Sequence, residues 1–491
     1  MKIYKNILSI VVILLLLSSC NDWLDVVQEG TVPTEEIDYT NISQMYGPVS
    51  GVYANARQNM SRWEMWPLLN VRGDDVTKGG NSEADQAGFL DVENFNYDAV
   101  KDFWALEESW KGLYQIVFTT YNNEVLLNRY RENITQESDL QLALQYEAEI
   151  KFHRALAYFF ISNLWGDIPL IDPEDVNYGY PFRFSLDSVR KLIHSELDFC
   201  ITNLPAEQTE HRGAATKWSA MALKAKLALY QGDYATTESL TSEIIRDAGI
   251  QLTTEYYQLF KIPGKLAPES LYEFQFTDFE SGDGQQVYGG AWFQHQGPQN
   301  NPAPISGWGF MLLKSEYINF LNDRGESTRW DVAVLESGTT SPAGDEISLF
   351  EPSYLDIKAH YNGKAYTPSS QMTPGRVDYG SNNNIRLLRY ADVLLMNAEA
   401  RVRTSGDAAT PLNEVRARAM LDPIAAPTLE DILNERKAEF SVEWGNRFHD
   451  LVRTDQAATE LPGFVKGEHE FLPIPVAQED LNPNLTEPVV E

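Results

Sequence analysis

AATKWSAMALKAKLALYQGDYATTESLTSEIIRD, residues 214–247, decides the fold. Small residues and Leu recur every three to four positions from Ala214 to Tyr230, the period of an amphipathic helix whose neighbour must come close. Gly232-Asp233 interrupts the pattern, and a second helix-period segment runs from Tyr234 to Asp247. The same design returns at 385–404, broken at Gly406-Asp407 and followed by 411–419. Longer helices are predicted over 104–130, 139–164 and 186–204. The second of these ends at Trp165-Gly166-Asp167-Ile168-Pro169, where Gly can cap a helix and Pro169 cannot continue one.

Ala222, Ala225, Leu229, Tyr230, Gly232 and Asp233 resemble the helix-turn-helix unit of tetratricopeptide repeats, with small side chains where two helices must touch. The repeats are degenerate, so the expected fold class is mainly α: a tetratricopeptide-like scaffold of helix pairs with long irregular loops and a few short strands. Residues 262–385 are rich in Pro, Gly, Asn, Ser and Gln, and only short stretches such as Leu271 to Phe276 alternate like a strand. Unsupported loops of such length are rare inside compact proteins and are usually functional. Binding chemistry is therefore expected there and in the equally irregular 57–103.

The amino terminus carries Lys2 and Lys5, an uncharged run of eleven residues from Ile7 to Leu17, then Ser18-Ser19-Cys20. The run is too short for the roughly 20 residues of a spanning helix, and it reads as a signal peptide over residues 1–19. Leu17-Ser18-Ser19-Cys20 resembles the lipobox of bacterial lipoproteins, which makes Cys20 the lipidated first residue of the mature chain. Without residues 1–19, 37 basic residues face 71 acidic ones, a formal charge of −34. Nucleic acid is excluded as a partner, because no basic footprint exists to neutralise phosphates. Cys200 is the other cysteine. It sits on an apolar helical face as a core thiol, so neither a disulfide nor a thiolate metal site is expected.

There is no G-x-S-x-G, no phosphate-cradling G-x-x-x-x-G-K-[ST] and no H-E-x-x-H, which disfavours serine-hydrolase, nucleotide and zincin chemistry. DFESGDG (278–284) hints at a calcium loop but lacks the spacing and terminal Glu of an EF-hand. The segment 432–453 sets Glu435, Glu439, Glu443 and Arg447 at steps of four, beside Arg436 and Phe440. Facing guanidiniums hold such carboxylates ionised, whereas a glycosidase's general acid needs a raised pKa. A structural ion-pair network is therefore expected, as it is for Arg389 and Asp392, three apart. The aromatics read differently. Trp63, Trp66, Trp104, Tyr288, Trp292, Phe293 and Trp308 lie among Asn, Gln, Asp and Gly. Indole faces can cover sugar C–H groups while amides and carboxylates take the hydroxyls.

YNNEVLL (121–127), AEIKFHRALAYFFISNLWGDIPL (148–170), LKAKLALYQGDY (223–234), LLRYADVLLMNAEA (387–400), LNEVRARA (412–419), ERKAEF (435–440) with GNRFHDLVR (445–453), and FLPIP (471–475) stand in one order behind the lipobox. In this the chain resembles the SusD/RagB family of outer-membrane nutrient-binding lipoproteins of Bacteroidetes, over nearly the whole mature sequence. Two features depart from the family pattern. Trp444 intervenes between Glu443 and Gly445 where the family has E-G-x-R, and the tail closes LNPNLTEPVVE.

The resemblance implies a single SusD-like unit over 20–491, with an N-terminal region of helical repeats to about 260 and a C-terminal region bearing the ligand loops from about 261. It implies a protein that is not an enzyme and needs no cofactor. Such a protein is lipid-anchored at Cys20 in the outer membrane, faces the cell exterior, and passes captured nutrient to a SusC-like TonB-dependent transporter. The acidic Asp22 and Asp25 fit the surface-export signals of such bacteria. An oligosaccharide or polysaccharide ligand is the first expectation. Peptide capture, as in the RagB branch, is the alternative, and a helical glycoside hydrolase is the third. Within the regions the resemblance transfers, Trp66, Asp74, Trp104, Tyr288, Trp292 and Trp308 are the expected ligand contacts.

Overall fold

The computed structural model describes residues 37–172, 179–277, 291–355, 357–374 and 381–491. Helices dominate. The principal ones are α1 (Tyr46–Met60), α2 (Trp104–Arg131), α3 (Glu137–Trp165), α4 (Leu186–Asn203), α5 (Lys217–Tyr230), α6 (Tyr234–Asp247), α7 (Tyr390–Thr404), α8 (Ala409–Arg418), α9 (Leu429–Phe440) and α10 (Asn446–Arg453). The part of α3 from Ala148 onward, and α5, are buried nearly all round, as central members of a helical stack must be. α3 lies between α2 and α4, while α6 lies between α5 and α7.

The deciding stretch folds as its period requires. Thr216 and Ser219 form a capping box at the start of α5, so the helix begins at Lys217 and not at Ala214. The Asp233 side chain accepts from the Thr236 N–H at 3.0 Å and starts α6. Gly232 takes a φ of +75° in the turn, a conformation that costs a glycine little. The second pair closes through Ser405 at φ +65°, and Asp407 accepts from the Ala409 N–H at 3.0 Å.

One element differs from its expectation. The helix read over 385–404 starts only at Tyr390, because Ile385–Arg389 is a strand. It pairs antiparallel with Ser270–Phe274, and its alternation was hidden by a run in which every residue is buried. Three more two-stranded pairs join Val76–Gly79 to Phe310–Leu313, Ile168–Pro169 to Arg183–Phe184, and Val334–Glu336 to His360–Asn362. The segment 262–385 also carries short helices at Ala291–Gln296, Ser315–Asp323 and Ser327–Ala333, so it is less irregular than its composition suggests.

The carboxylates of 432–453 form the expected network but not along one helix. α9 stops at Phe440, leaving Glu443 in the following turn and Arg447 on α10. Glu439 meets Arg329 and Arg389, each at 3.0 Å, and also Arg418. Arg389 further pairs with Glu269 at 2.7 Å and Glu443 at 2.9 Å. Asp392 belongs to a separate buried set with Lys226 (3.0 Å) and Arg436 (2.8 Å), so Arg389 and Asp392 are both ion-paired, though not to each other. Cys200 is buried, and its thiol donates to the Ala148 carbonyl at 3.1 Å.

Candidate functional site

Three tryptophans from distant parts of the chain meet at the surface. Trp63 follows α1, Trp104 is the first residue of α2, and Trp308 ends the loop before the strand Phe310–Leu313. The Trp63 ring stands 5.5 Å from Trp104 and 5.5 Å from Trp308, at interplanar angles of 54° and 84°. Behind it lie Phe89, His295 and Phe310, at 5.8, 5.7 and 6.0 Å. Trp104 is 38% exposed, while Trp63 and Trp308 are half-buried. Aromatic pairs in tilted and edge-on contact are favourable in themselves, so the cluster is pre-formed.

Local backbone chemistry brings the pieces together. The strand Val76–Gly79 pairs with Phe310–Leu313 so that Gly79 faces Phe310, and the Gly80 N–H donates to the Gly309 carbonyl at 2.7 Å. A Cβ on Gly80 would meet the Phe310 ring at 2.8 Å, and one on Gly307 would run into the Gly297 backbone. Only glycine lets these loops touch. Polar side chains then ring the tryptophans. Trp104 Nε1 donates to Gln86 Oε1 at 3.1 Å. With its amide turned so that the nitrogen faces these carbonyls, Gln299 donates to Trp308 and Gly307 at 2.9 and 3.2 Å, and its other end lies 3.2 Å from the Asn81 side chain. Asn81 is exposed, and Gln86 and Gln299 are half-buried. The result is an apolar indole surface bordered by neutral amides.

Two expected contacts need correction. Trp66 is 2% exposed and Trp292 is 6% exposed, so neither offers a face to a ligand. The helix Met65–Asn70 is buried throughout and turns the Trp66 indole inward, where Nε1 donates to Gln296 at 3.0 Å. There Trp66 packs edge-on against Trp292 and Trp444, each at 4.8 Å. Trp444, the residue that departs from the family pattern, thus fills core, and its Nε1 donates to the Arg386 carbonyl at 2.7 Å. Asp74 is committed as well. Arg447 grips it through Nε at 2.7 Å and a second nitrogen at 2.9 Å, and Lys437 adds a contact at 2.8 Å. Burial alone would raise its pKa, but these cations outweigh it and hold the carboxyl well below the usual range. Asp74 lines a cleft of about 590 Å³ with Thr77, Glu93, Lys314 and Glu316. Tyr288, the 278–284 stretch and Cys20 lie outside the described residues.

The site residues that sequence reasoning did not single out are Asn81, Gln86 and Gln299. Their signal was present only as amide-rich composition around the tryptophans. Trp63 was noted among the aromatics, yet nothing in the sequence marked it as the centre.

Two buried carboxylates elsewhere, Glu439 and Glu149, have strongly shifted environments. Burial would raise the Glu439 pKa, but Arg418, Arg389 and Arg329 hold it well below the ordinary range. Glu149 is pushed up to about 7 by burial, near a general acid's value, but it is fully buried and accepts from Tyr53 at 2.8 Å. Among the described residues no group of three or more His, Cys, Asp or Glu is placed to hold a metal ion, and no helix is long and apolar enough to cross a membrane.

Comparison with known proteins adds an independent reading. The sequence model described as "SusD family" matches residues 268–488, and one described as "Starch-binding associating with outer membrane" matches residues 22–229. A SusD-like protein of Bacteroides ovatus is 25% identical over 91% of this chain and 82% of its own length. The starch-binding protein SusD of Bacteroides thetaiotaomicron is 26% identical over 63% of this chain and 64% of its own. Among solved structures, a laminarin binding SusD-like protein superposes with a TM-score of 0.77 at 28% identity, over 90% of this chain and 97% of that one.

Proposed function

This chain belongs to the SusD family, and on that premise we propose that it is a non-catalytic binding protein for neutral oligosaccharides, with Trp63, Trp104 and Trp308 as its binding face. The observation that carries this reading is the cluster itself: Trp104 and Trp308 each in ring contact with Trp63 at the surface, bordered by Asn81, Gln86 and Gln299. Indole supplies apolar cover for pyranose C–H groups, and a neutral amide can both donate to and accept from a hydroxyl. The cluster carries no charge of its own, which suits a neutral sugar. The names of relatives that bind laminarin and starch point the same way.

The wider role follows from the amino terminus and the family. Residues 1–19 direct export, and Cys20 carries the lipid that holds the protein at the outer membrane, which the description of one matching family model also names. More than one acyl chain is needed for stable anchoring. A SusC-like TonB-dependent transporter then receives the bound glycan. Titration of the mature protein with laminari- and malto-oligosaccharides, followed by tryptophan fluorescence, tests the binding reading. Saturable quenching that Trp104→Ala removes is the expected result. A response to peptides alone, or release of reducing ends on prolonged incubation, would refute it.

A further inference from the structure

Lys78 is a fully buried lysine that forms no salt bridge among the described residues, the carboxylates of Asp85, Glu93 and Glu83 acting on it from farther off. Its ammonium is instead saturated by three main-chain carbonyls of one loop: Gly79 at 3.1 Å, Ser82 at 2.8 Å and Asp85 at 2.8 Å. The Tyr354 ring lies 4.9 Å from Nζ, and the Tyr354 hydroxyl donates to the same Gly79 carbonyl at 2.6 Å. A charge buried at such cost and matched donor for acceptor holds its ligands in one geometry. The residues it gathers, Gly79 to Asp85, lead directly to Gln86, which sits at φ +53°. That left-handed conformation is costly for a residue other than glycine and persists only where its surroundings impose it.

Both flanks of the aromatic face hang from this loop. Gln86 accepts from Trp104 Nε1, while Asn81 lies 3.2 Å from Gln299, whose amide, with its nitrogen turned toward them, donates to the Trp308 and Gly307 carbonyls. The loop is also closed on itself, since the Asn81 N–H donates to the Asp85 carboxylate at 3.1 Å. We propose that Lys78, with Tyr354 behind it, is the positioning residue of the binding face. From beneath, it sets the 79–86 loop that orients Trp104 through Gln86 and Trp308 through Asn81 and Gln299. Lys78 itself touches no ligand. The inference rests on the reading of the three tryptophans as the binding face, and its consequence is that affinity depends on a group that ligand contacts alone would never reveal.

Lys78→Met keeps the stem and removes the three donors, so it separates positioning from packing. In the full mature chain without ligand, the amides of Gly80, Asn81 and Asp85 should lose hydrogen-exchange protection. The fluorotryptophan resonance of Trp104, assigned through Trp104→Phe, should broaden or shift. Laminarihexaose affinity should fall about tenfold, a change comparable to losing one hydrogen-bonded contact to a charged group. Tyr354→Phe, which deletes only the phenolic donor, should move all three readouts in the same direction by a smaller amount, and it decides the matter should Lys78→Met not fold. Unchanged loop protection and an unchanged Trp104 resonance in the folded variants would overturn the proposal. If the wild-type protein bound no glycan at all, the binding reading would fall, while the loop and tryptophan readouts would still decide what Lys78 does.

Discussion

Trp63 and Trp308, 245 residues apart in sequence, meet edge to face with centroids 5.5 Å apart and planes at 84°. This contact, with that between Trp63 and Trp104, makes one surface from three separate parts of the chain. The cluster exists before any ligand arrives, so a sugar need not meet the entropic cost of ordering the rings.

Trp104 is the member whose loss should be read most cleanly in binding. It is 38% exposed, so Trp104→Ala should alter stability by less than about 1 kcal/mol. Removing the indole face should weaken oligosaccharide binding by about 1–2 kcal/mol, roughly five- to thirtyfold. Calorimetric titration beside a urea unfolding curve checks both halves. Equal loss of binding and stability would mean that the ring is structural.

Glu439 should behave in the opposite way. It is fully buried and shared by Arg329, Arg389 and Arg418, so Glu439→Gln leaves buried guanidiniums short of a counter-charge. The expected cost is about 3–5 kcal/mol of stability, with the glycan dissociation constant unchanged where the variant is folded. Because its folded pKa is depressed, this contribution is complete above the ordinary carboxylate value of about 4 and is lost as pH falls toward the folded value. Thermal midpoints of the wild type measured downward from neutral pH should therefore drop in acid, and Glu439→Gln should drop less.

Glu149 has the reverse sign. Burial raises its carboxyl to about 7, above an unfolded value of about 4.3. The folded state then holds the extra proton, and the stability so gained is lost as pH rises through about 7. Glu149→Gln, which keeps a side-chain oxygen for Gln145 and Gln208, should raise the melting temperature relative to wild type at about pH 8 and lose that advantage near pH 4. The difference between the two proteins isolates this group from His153, whose burial lowers its pKa to about 4 and which therefore destabilises on acidification. A pH-independent difference would show that Glu149 does not titrate in this window.

Cys200 should be inert. Its thiol is buried, pushed to a higher pKa chiefly by that burial, and hydrogen-bonded to the Ala148 carbonyl. The thiolate is the reactive form, so a thiol reagent should label Cys200 only once denaturant is added. Labelling of the native protein at a rate matching a free thiol would place Cys200 in a mobile region.

What the sequence by itself determined is whatever depends on near neighbours along the chain. Helical period and the Gly232-Asp233 turn are local, so the helix pairs and most of their bounds could be read before any coordinates. The ion-pair character of 432–453 was also legible, because alternating Glu and Arg cannot be buried except together. Tertiary structure decided everything that turns on which side of a residue faces water. Trp66 and Trp104 were both expected to face a ligand, yet one is 2% and the other 38% exposed. Ile385–Arg389 reads as the first turn of a helix until Ser270–Phe274 pairs with it. The role of Lys78 rests on carbonyls, and a carbonyl belongs to every residue alike, so no side-chain pattern announces it. Only folding shows which of these identical groups converge on one ammonium.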